Sequence, residues 1–369
     1  MRFTNVTDHA AGWTLGLRRD GRELLVAIVK ATYTLPVAGE PPERHATQLP
    51  LVQADVFSGE PGLSAPLFES DYAHGKPACD VLLIGSAHAP DGRPVDKCPV
   101  GLRVGDWQKQ FLAVGPRRWQ RRLVGTTASA PEPFLRQPLS YDVAFGGTDR
   151  TEEAKGLVHS YQPNPAGRGW WKHLDQIDDQ PLPLTEALGQ SIESPRGDYA
   201  PQAFSPIGRN WQPRIGHVGT YDQHWMENIA PLWPEDFDER YFQAAPPDQI
   251  LPFPQGGEPV LLRNLTADGH RAFTLPARTM PVTFIPHRGR DLTQTALLDT
   301  IVFEPDEGRF TLTWRSVLPL GRSVFDVKEL ITGDMPRAWH RDRRFPGKTY
   351  HASLADAVRA KAARRRGRA

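Results

Sequence analysis

Carboxylates grouped near prolines and glycines are the first residues in this chain whose types suit catalysis. A pair of carboxyl groups about 5–9.5 Å apart can hydrolyse a glycosidic bond, one as acid and the other as base or nucleophile. Aromatic-rich loops suit sugar binding. The carboxylates that can supply such a pair are Glu60, Glu69, Asp71, Asp142 and Asp222. Because any acidic chain offers pairs of this kind, a glycan hydrolase is the alternative interpretation and not the preferred one.

A metal site is a second chemical possibility. His217, Asp222 and His224 lie close together in the sequence, and Asp222 and His224 share one face if the segment is extended. No HExxH motif or second cluster of ligands accompanies them. The two cysteines, Cys79 and Cys98, are too few for a disulfide framework, and their separation does not make a zinc site. We therefore expect no metal and no cofactor.

Motifs for nucleotide binding and for nucleophilic catalysis are incomplete as well. The segment 62–66 lacks the final glycine of a G-x-S-x-G elbow. Residues 347–349 resemble the end of a phosphate-binding loop, but Asp342 occupies the position of its first glycine. The segment 167–169 lacks the third glycine of a dinucleotide fingerprint. The sequence thus predicts a protein that is not an enzyme.

Arginine and tryptophan recur at a fixed spacing that suits recognition better than catalysis. Four of the ten tryptophans follow an arginine by two residues, so the two side chains share a face in an extended segment. The segment 165–170 matches 206–211 in its proline, glycine, arginine and tryptophan positions. Such pairs either anchor loops, with the guanidinium over the indole, or form a rigid surface of the kind found at interface hot spots.

We expect the binding surface to consist of aromatic residues, arginines and one carboxylate in these loops. Proline and glycine just upstream fix the backbone that presents the side chains, as in binding loops held by a rigid scaffold. The expected partner is another polypeptide. The candidate contacts are Trp119, Arg168, Trp170, Trp171, Arg209, Trp211, Tyr221, Asp222 and Trp225.

The elements that must position these loops are strands. Residues 23–35, ELLVAIVKATYTL, are rich in β-branched side chains and predict a long buried strand. Further strands are predicted at 51–57 and 80–89, and hairpins at 100–115 and 300–320. The 36 prolines and 32 glycines disfavour long helices. The expected fold class is mainly β, with sandwich or barrel-like antiparallel sheets, a long loop-rich insertion and a short C-terminal helix.

Composition divides the chain into four segments. Residues 1–127 are expected to form an N-terminal β region, and 259–335 a C-terminal β region that completes the fold. Residues 128–258 read as a Pro/Gly/Trp-rich insertion packed on the sheets, because a structureless loop of that length is improbable in a compact domain. Residues 336–369 read as a basic tail with a short helix capped at Ser353.

Charge is distributed unevenly along the chain. The tail from Arg337 holds eleven of the 44 basic residues and two of the 43 acidic ones, which leaves 33 basic and 41 acidic residues in 1–336. An acidic body argues against general nucleic-acid binding, whereas the tail suits an acidic partner. No signal peptide and no apolar stretch of membrane-spanning length is visible. We expect a cytoplasmic protein that does not bind membranes.

Several long segments, taken in order, resemble one known family. They are ADVFSGEPG (54–62), ESDYAHGKPACDVLLIGSAHAPDGRPV (69–95), SYDVAFGGTDR (140–150), YQPNPAGRGWW (161–171), FSPIGRNWQPRIGHVGTYDQHW (204–225) and PEDFDERYFQAAPPDQ (234–249). Over roughly residues 1–335 the chain is similar to the family called domain of unknown function 2169. Segments this long are far more specific than the short motifs above.

The resemblance implies a role in bacterial type VI secretion. Members of the family are typically encoded beside spike proteins, PAAR-repeat tips and toxic effectors. This implies an adaptor or chaperone that binds a cognate effector and helps to load it onto the PAAR-repeat tip or spike protein. The resemblance carries over no catalytic residues. It supplies a structural signature whose positions are Asp142, Phe145, Gly146, Gly147, Asn164, Pro165, Gly167 and Gly208.

Overall fold

A computed structural model describes residues 1–37, 39–344, 353–356 and 358–360. The structure is mainly β, as the sequence predicts, and its α-helices α1 (Gln223–Asn228) and α2 (Arg337–Arg344) are short. The C-terminal helix predicted from Ser353 is a separate one, and residues 354–356 and 358–360 of that segment are helical. The cap predicted at Ser353 is also present, since its Oγ accepts a hydrogen bond from the Asp356 amide at 3.1 Å. Within the described ranges, no helix is long and apolar enough to span a membrane.

The strands are short and numerous, and we number them in chain order. The first twelve are β1 (Arg2–Asn5), β2 (Ala10–Leu17), β3 (Glu23–Thr34), β4 (Val56–Phe57), β5 (Pro66–Phe68), β6 (Cys79–Leu83), β7 (Ser86–His88), β8 (Lys97–Val104), β9 (Trp107–Val114), β10 (Trp119–Arg121), β11 (Thr126–Ala128) and β12 (Arg136–Pro138).

The later strands begin at the double glycine and end just before α2. They are β13 (Phe145–Gly146), β14 (Thr148–Asp149), β15 (His159–Ser160), β16 (Arg168–Gly169), β17 (Thr185–Glu186), β18 (Ile250–Leu251), β19 (Pro259–Arg263), β20 (His270–Thr274), β21 (Pro281–Pro286), β22 (Leu292–Thr295), β23 (Leu297–Glu304), β24 (Arg309–Pro319) and β25 (Val327–Thr332). Short 3₁₀ helices lie at Pro90–Gly92, Tyr141–Val143, Glu153–Lys155, Arg214–His217, Glu239–Phe242, Pro247–Gln249, Pro305–Glu307 and Val324–Asp326.

The largest sheet has six strands in the order β18-β6-β23-β24-β3-β2. Strand β3 is the long buried strand predicted at 23–35, and it pairs antiparallel with β24 over eleven residues. Side chains alternate between the faces of a strand. One face of this sheet is apolar, whereas the other carries polar side chains that are also buried, among them Lys30, Thr32, Asp80 and Arg315.

Two further sheets pack against the apolar face. The order of the five-stranded sheet is β17-β9-β8-β19-β20, and that of the four-stranded sheet is β1-β25-β21-β22. Strands β8 and β9 form the hairpin predicted at 100–115, with Gly105 at φ 59° in its turn. Strands β23 and β24 form the hairpin predicted at 300–320, with Gly308 at φ 64°. Both local predictions are confirmed.

One hydrophobic core joins the three sheets. Val29 and Phe303 of the six-stranded sheet, Phe111 of the five-stranded sheet and Phe284 and Leu330 of the four-stranded sheet belong to the same buried cluster. Burial of apolar surface at about 25 cal/mol per Å² makes such a cluster the main source of stability. The sheets are open and packed face to face, so they form a rigid base for the loops.

The Pro/Gly/Trp-rich residues 128–258 contribute to both large sheets. Strand β17 pairs with β9, and β18 pairs with β6. Most of the remaining backbone forms loops and two-residue ladders, such as β13 beside β16 and β14 beside β15. Residues 243–245 close over the polar face of the six-stranded sheet, where the Gln243 side chain and the Ala244 amide both donate to Asp80.

Candidate functional site

Residues 141–147 and 161–169 pack around one buried side chain, that of Asn164, and we call this unit the Asn164 knot. The side chain is fully excluded from solvent. Its Nδ2 donates to the carbonyl oxygens of Tyr141 at 2.9 Å and of Phe145 at 3.0 Å. A buried amide that satisfies two carbonyl oxygens of a distant segment fixes both segments. The knot is therefore a structural device.

Glycines are required inside the knot because backbone segments lie against each other. Gly146 has φ 148°, and a Cβ on it would lie 2.1 Å from the Asn164 carbonyl oxygen. A Cβ on Gly167 would lie 2.6 Å from the Ala144 carbonyl oxygen. Gly147, at φ 124°, donates its amide to the Asn164 carbonyl at 2.9 Å. Glycine has no Cβ and accepts positive φ, which explains its density in this stretch.

Other positions of the predicted structural signature also make internal contacts. Asp142 Oδ1 accepts a hydrogen bond from the Ala65 amide at 2.8 Å. The Pro165 carbonyl accepts one from Thr148 Oγ1 at 2.9 Å. The Phe145 ring is buried and packs edge to face against two tyrosines, with centroids 5.2 and 5.0 Å away. These residues hold loops together.

Two of the expected partner contacts, Trp119 and Trp211, are interior. Trp119 is 0% exposed, and its Nε1 donates to the Gly169 carbonyl at 3.0 Å. Trp211 is 2% exposed and packs edge to face on Tyr141 at 5.7 Å. A Cβ on Gly208 would lie 2.7 Å from the Trp211 Nε1. The prediction that these two indoles contact a partner is wrong, because both rings fill gaps between loops.

Trp170 and Trp171 lie between the interior and the surface. Both are half-buried and pack against the cluster that contains Trp119 and Phe145. The neighbouring Arg168 has its Nε buried without a hydrogen-bond partner among the described residues. Burial lowers the pKa of its guanidinium below the usual value. These three side chains leave part of their surface accessible and stay candidate contacts.

Two arginines of the Arg-x-Trp units, Arg117 and Arg209, pair with carboxylates. Arg117 Nη1 lies 2.7 Å from Glu186 Oε1. Arg209 lies 2.9 Å from Asp55 Oδ2 through Nε and 2.6 Å from Glu69 Oε1 through Nη2. Burial on its own raises the pKa of Asp55, but hydrogen bonds from Arg209 and a backbone amide outweigh it and hold the pKa below its usual value. In these two units the guanidinium group holds carboxylates, and the tryptophan anchors loops by its own packing.

The carboxylates of the hydrolase interpretation have identifiable partners or are exposed. Glu60 is exposed on a turn. Glu69 Oε1 is shared by Arg209 and a second arginine, Arg214. Asp222 Oδ1 caps helix α1 through the Trp225 amide at 2.9 Å. Glu69 and Asp222 thus support local structure, whereas Glu60 faces solvent.

The densest group of buried ionisable side chains lies on the polar face of the six-stranded sheet. Three cation–carboxylate pairs meet there: Lys30 with Asp71 at 2.9 Å, Lys76 with Asp80 at 2.5 Å, and Arg315 with Asp299. The adjoining cavity measures about 20 Å³, which is room for about one water molecule. This layer is balanced in charge and has no space for a substrate.

The histidines weighed in the sequence for metal binding do not face one another. His217 Nδ1 lies 3.9 Å from Asp238, and His224 Nδ1 faces the Asn228 amide at 3.3 Å. A different set, Glu152, His159 and His173, brings three potential ligand atoms within 4.8 Å of one another. Sequence reasoning missed this set because its spacing matches no metal motif.

Residues 217–236 form a surface projection, which we call the aromatic lobe. Tyr221 and Met226 are 48% and 69% exposed. Trp225 is half-buried, and its ring lies edge to face with Tyr221 at a centroid distance of 4.6 Å. Trp225 Nε1 donates to the Leu232 carbonyl at 2.9 Å, which fixes the indole. An ordered aromatic and methionine surface therefore faces solvent here.

The base of the lobe is anchored in the rest of the molecule. Trp233 Nε1 donates to the Leu17 carbonyl of strand β2 at 2.7 Å, and its ring stacks on Phe237 at 4.3 Å. Asp236 accepts hydrogen bonds from the amide and hydroxyl of Thr220 at 2.9 and 2.7 Å. The lobe is thus held at both ends, and its exposed side chains are presented by a fixed backbone.

One family model matches this chain. It is DUF2169, described as "Uncharacterized protein conserved in bacteria", and it covers residues 20–315. The matched range includes the Asn164 knot and the aromatic lobe and ends before helix α2. No curated protein and no solved structure matches.

Proposed function

This chain belongs to the DUF2169 family, and on that premise we propose that it is an adaptor or chaperone of type VI secretion. It binds a cognate effector protein and promotes loading of that effector onto the PAAR-repeat tip or spike protein. Its action is recognition of another polypeptide by ordered loops, without bond-making chemistry. The type VI role follows from the family resemblance, and the surface that performs it is proposed from the structure.

The observation that carries the proposal is the aromatic lobe's surface, where Tyr221 and Met226 are exposed and the half-buried Trp225 packs on Tyr221. Tyrosine and tryptophan dominate interface hot spots, and methionine adapts its shape to varied apolar partners. Large apolar side chains that are exposed as a group, and not singly, mark interaction sites in soluble proteins. The grouping of these side chains on one fixed segment therefore favours a binding role. We assign the lobe to an apolar segment of the effector.

Two further features support binding over catalysis. The concentrated charges under the six-stranded sheet are paired one to one, and the cavity between them has room for about one water molecule. Asp222, a candidate contact from the sequence, acts instead as the cap that orients α1 and thereby Trp225. Trp170, Trp171 and Arg168 supply a second accessible patch.

The test is co-expression with the effector and the PAAR-repeat protein encoded beside this chain. We expect the effector to co-purify with it, and expect effector abundance and secretion to fall when this protein is absent. If neither neighbour binds, and effector abundance and secretion are unchanged in its absence, the adaptor role is wrong.

A further inference from the structure

Three potential metal ligands converge at the end of the ladder between β14 and β15. Antiparallel pairing sets Asp149 opposite His159. The connection between the two strands places Glu152 just before a 3₁₀ turn, and the loop after Trp171 brings in His173. Hairpin register and a separate loop thus bring together residues that no local sequence motif would connect.

The distances between the ligand atoms suit a tetrahedral metal ion. Glu152 Oε2 lies 3.4 Å from His173 Nε2 and 3.6 Å from His159 Nε2. All three ligand atoms lie within 4.8 Å of one another. Zinc binds nitrogen and oxygen at about 2.0–2.2 Å, so neighbouring ligands of a tetrahedron are roughly 3.3–3.5 Å apart. Glu152 Oε2 therefore lies at about the distance from each imidazole nitrogen that two ligands of one ion have.

A buried carboxylate outside the cluster orients one of the imidazoles. Asp149 Oδ2 lies 3.2 Å from His173 Nδ1 and also accepts the backbone amides of Lys172 and His173, at 3.1 and 2.8 Å. When Nδ1 carries the proton and donates it to Asp149, Nε2 presents its lone pair toward Glu152. A carboxylate behind a metal-binding histidine is the usual supporting partner in zinc sites.

The exposure of the three ligands leaves room for a fourth. Their side chains are 24% (Glu152), 34% (His159) and 28% (His173) exposed, so water can complete the coordination sphere. Lys155 is the neighbouring cation; its Nζ lies 3.0 Å from Glu152 Oε1, the oxygen that faces away from the histidines. Its side chain is 72% exposed, and solvent screens its charge from the site.

We propose that Glu152, His159 and His173 bind one divalent transition-metal ion, with zinc as the best fit, and that the ion clamps the loop after Trp171 to the β14–β15 hairpin. Two imidazoles and one carboxylate favour zinc and its transition-metal neighbours over magnesium or calcium, which prefer all-oxygen sites. The ion joins this hairpin to the loop after Trp171 and so stabilises the backbone beside Trp170. This site is independent of the aromatic lobe.

The test uses the full chain without a histidine tag, stripped with EDTA, dialysed and titrated with zinc chloride alone. Calorimetry should show one zinc per chain, and Tm should rise with zinc concentration because zinc binds the folded form. Cobalt chloride should give the visible absorption band of tetrahedral Co²⁺. Magnesium chloride should change neither quantity. Absence of stoichiometric zinc binding to the wild-type chain overturns the proposal.

Matched variants locate the site. His159→Ala should abolish the one-to-one binding and the Tm rise. Glu152→Gln, which keeps the side-chain size, should weaken zinc affinity by about 10–100-fold or more, as loss of a supporting partner already does. His224→Ala removes an exposed histidine elsewhere and should bind zinc like the wild type. If His159→Ala and Glu152→Gln retain wild-type affinity and stoichiometry, zinc binds elsewhere and the assignment is wrong.

Discussion

The Asn164 knot and the aromatic lobe have similar compositions and different exposure to solvent. Both are loop segments rich in aromatic residues and broken by proline and glycine. The Asn164 amide of the knot, and the indole of Trp211 packed beside it, make their contacts inside the molecule. In the lobe only the base is internal, and Tyr221 and Met226 face solvent. Composition alone therefore does not distinguish a buried loop from an exposed one. The difference lies in which side chains already have contacts inside the molecule.

The sharpest way to test this contrast is to remove one large side chain that packs beside the knot and one on the lobe. Trp211→Ala should lower the free energy of unfolding by about 3–5 kcal/mol, because it empties a fully buried site. Met226→Ala on the lobe should change it by no more than about 0.5 kcal/mol. Urea denaturation of both variants measures the difference. Equal losses would mean that the lobe is as integral to the fold as the knot.

A substitution of glycine tests the close backbone approach in the knot. Gly146→Ala should cost about 2–4 kcal/mol, since a Cβ would overlap the Asn164 carbonyl and the backbone has positive φ. Gly321→Ala is the matched control, because a Cβ there meets nothing within 4 Å. Thermal and urea unfolding of the pair measure the effect. A Gly146→Ala chain as stable as Gly321→Ala would show that the knot is not tightly closed.

The smallest expected effect lies at the base of the lobe, at His74. Its ring packs on Phe242 at 5.0 Å and near Trp233 at 6.0 Å, and burial lowers its pKa below 6.5. The folded state therefore favours the neutral ring, and this stabilisation is complete above about pH 6.5 and is lost as the pH falls through the lowered folded-state pKa. The Tm of the wild type should exceed that of His74→Gln at pH 7.5, and the gap should narrow at pH 5.

The control for the pH experiment is His224→Ala, whose histidine is exposed on the lobe. Its Tm should follow that of the wild type at both pH values. If the Tm difference between the wild type and His74→Gln is the same at both pH values, groups other than His74 cause the acid sensitivity of the lobe.

The sequence predicts several local elements of this molecule, but of the strand expected at 51–57 only Val56–Phe57 is present. Strand β3 and the two hairpins follow from runs of β-branched residues and from glycines in turns, signals contained within about twenty residues. The orientation of the tryptophans does not follow, because it depends on distant segments. Trp119 finds its acceptor at Gly169 and Trp211 packs on Tyr141. These distant contacts must be known before a buried ring can be told from an exposed one.

The candidate metal cluster was unpredictable for a related reason. Glu152, His159 and His173 meet because Asp149 pairs with His159 in a two-residue ladder and because Asp149 also binds the amide of His173. Neither contact leaves a periodic signal in the sequence. The ladder is too short to show alternation, and the loop is held by a side chain.

The most direct measurement compares effector binding by two double variants with that of the wild type. Tyr221→Ala/Met226→Ala removes the exposed apolar surface of the lobe. Leu123→Ala/Val124→Ala removes similar surface from the turn between β10 and β11, where both side chains are fully exposed. We expect binding of the co-purified effector to weaken by about tenfold or more in the lobe variant and to be unchanged in the turn variant. Wild-type affinity in the lobe variant, or equal loss in both, would contradict the assignment of the aromatic lobe as the docking surface.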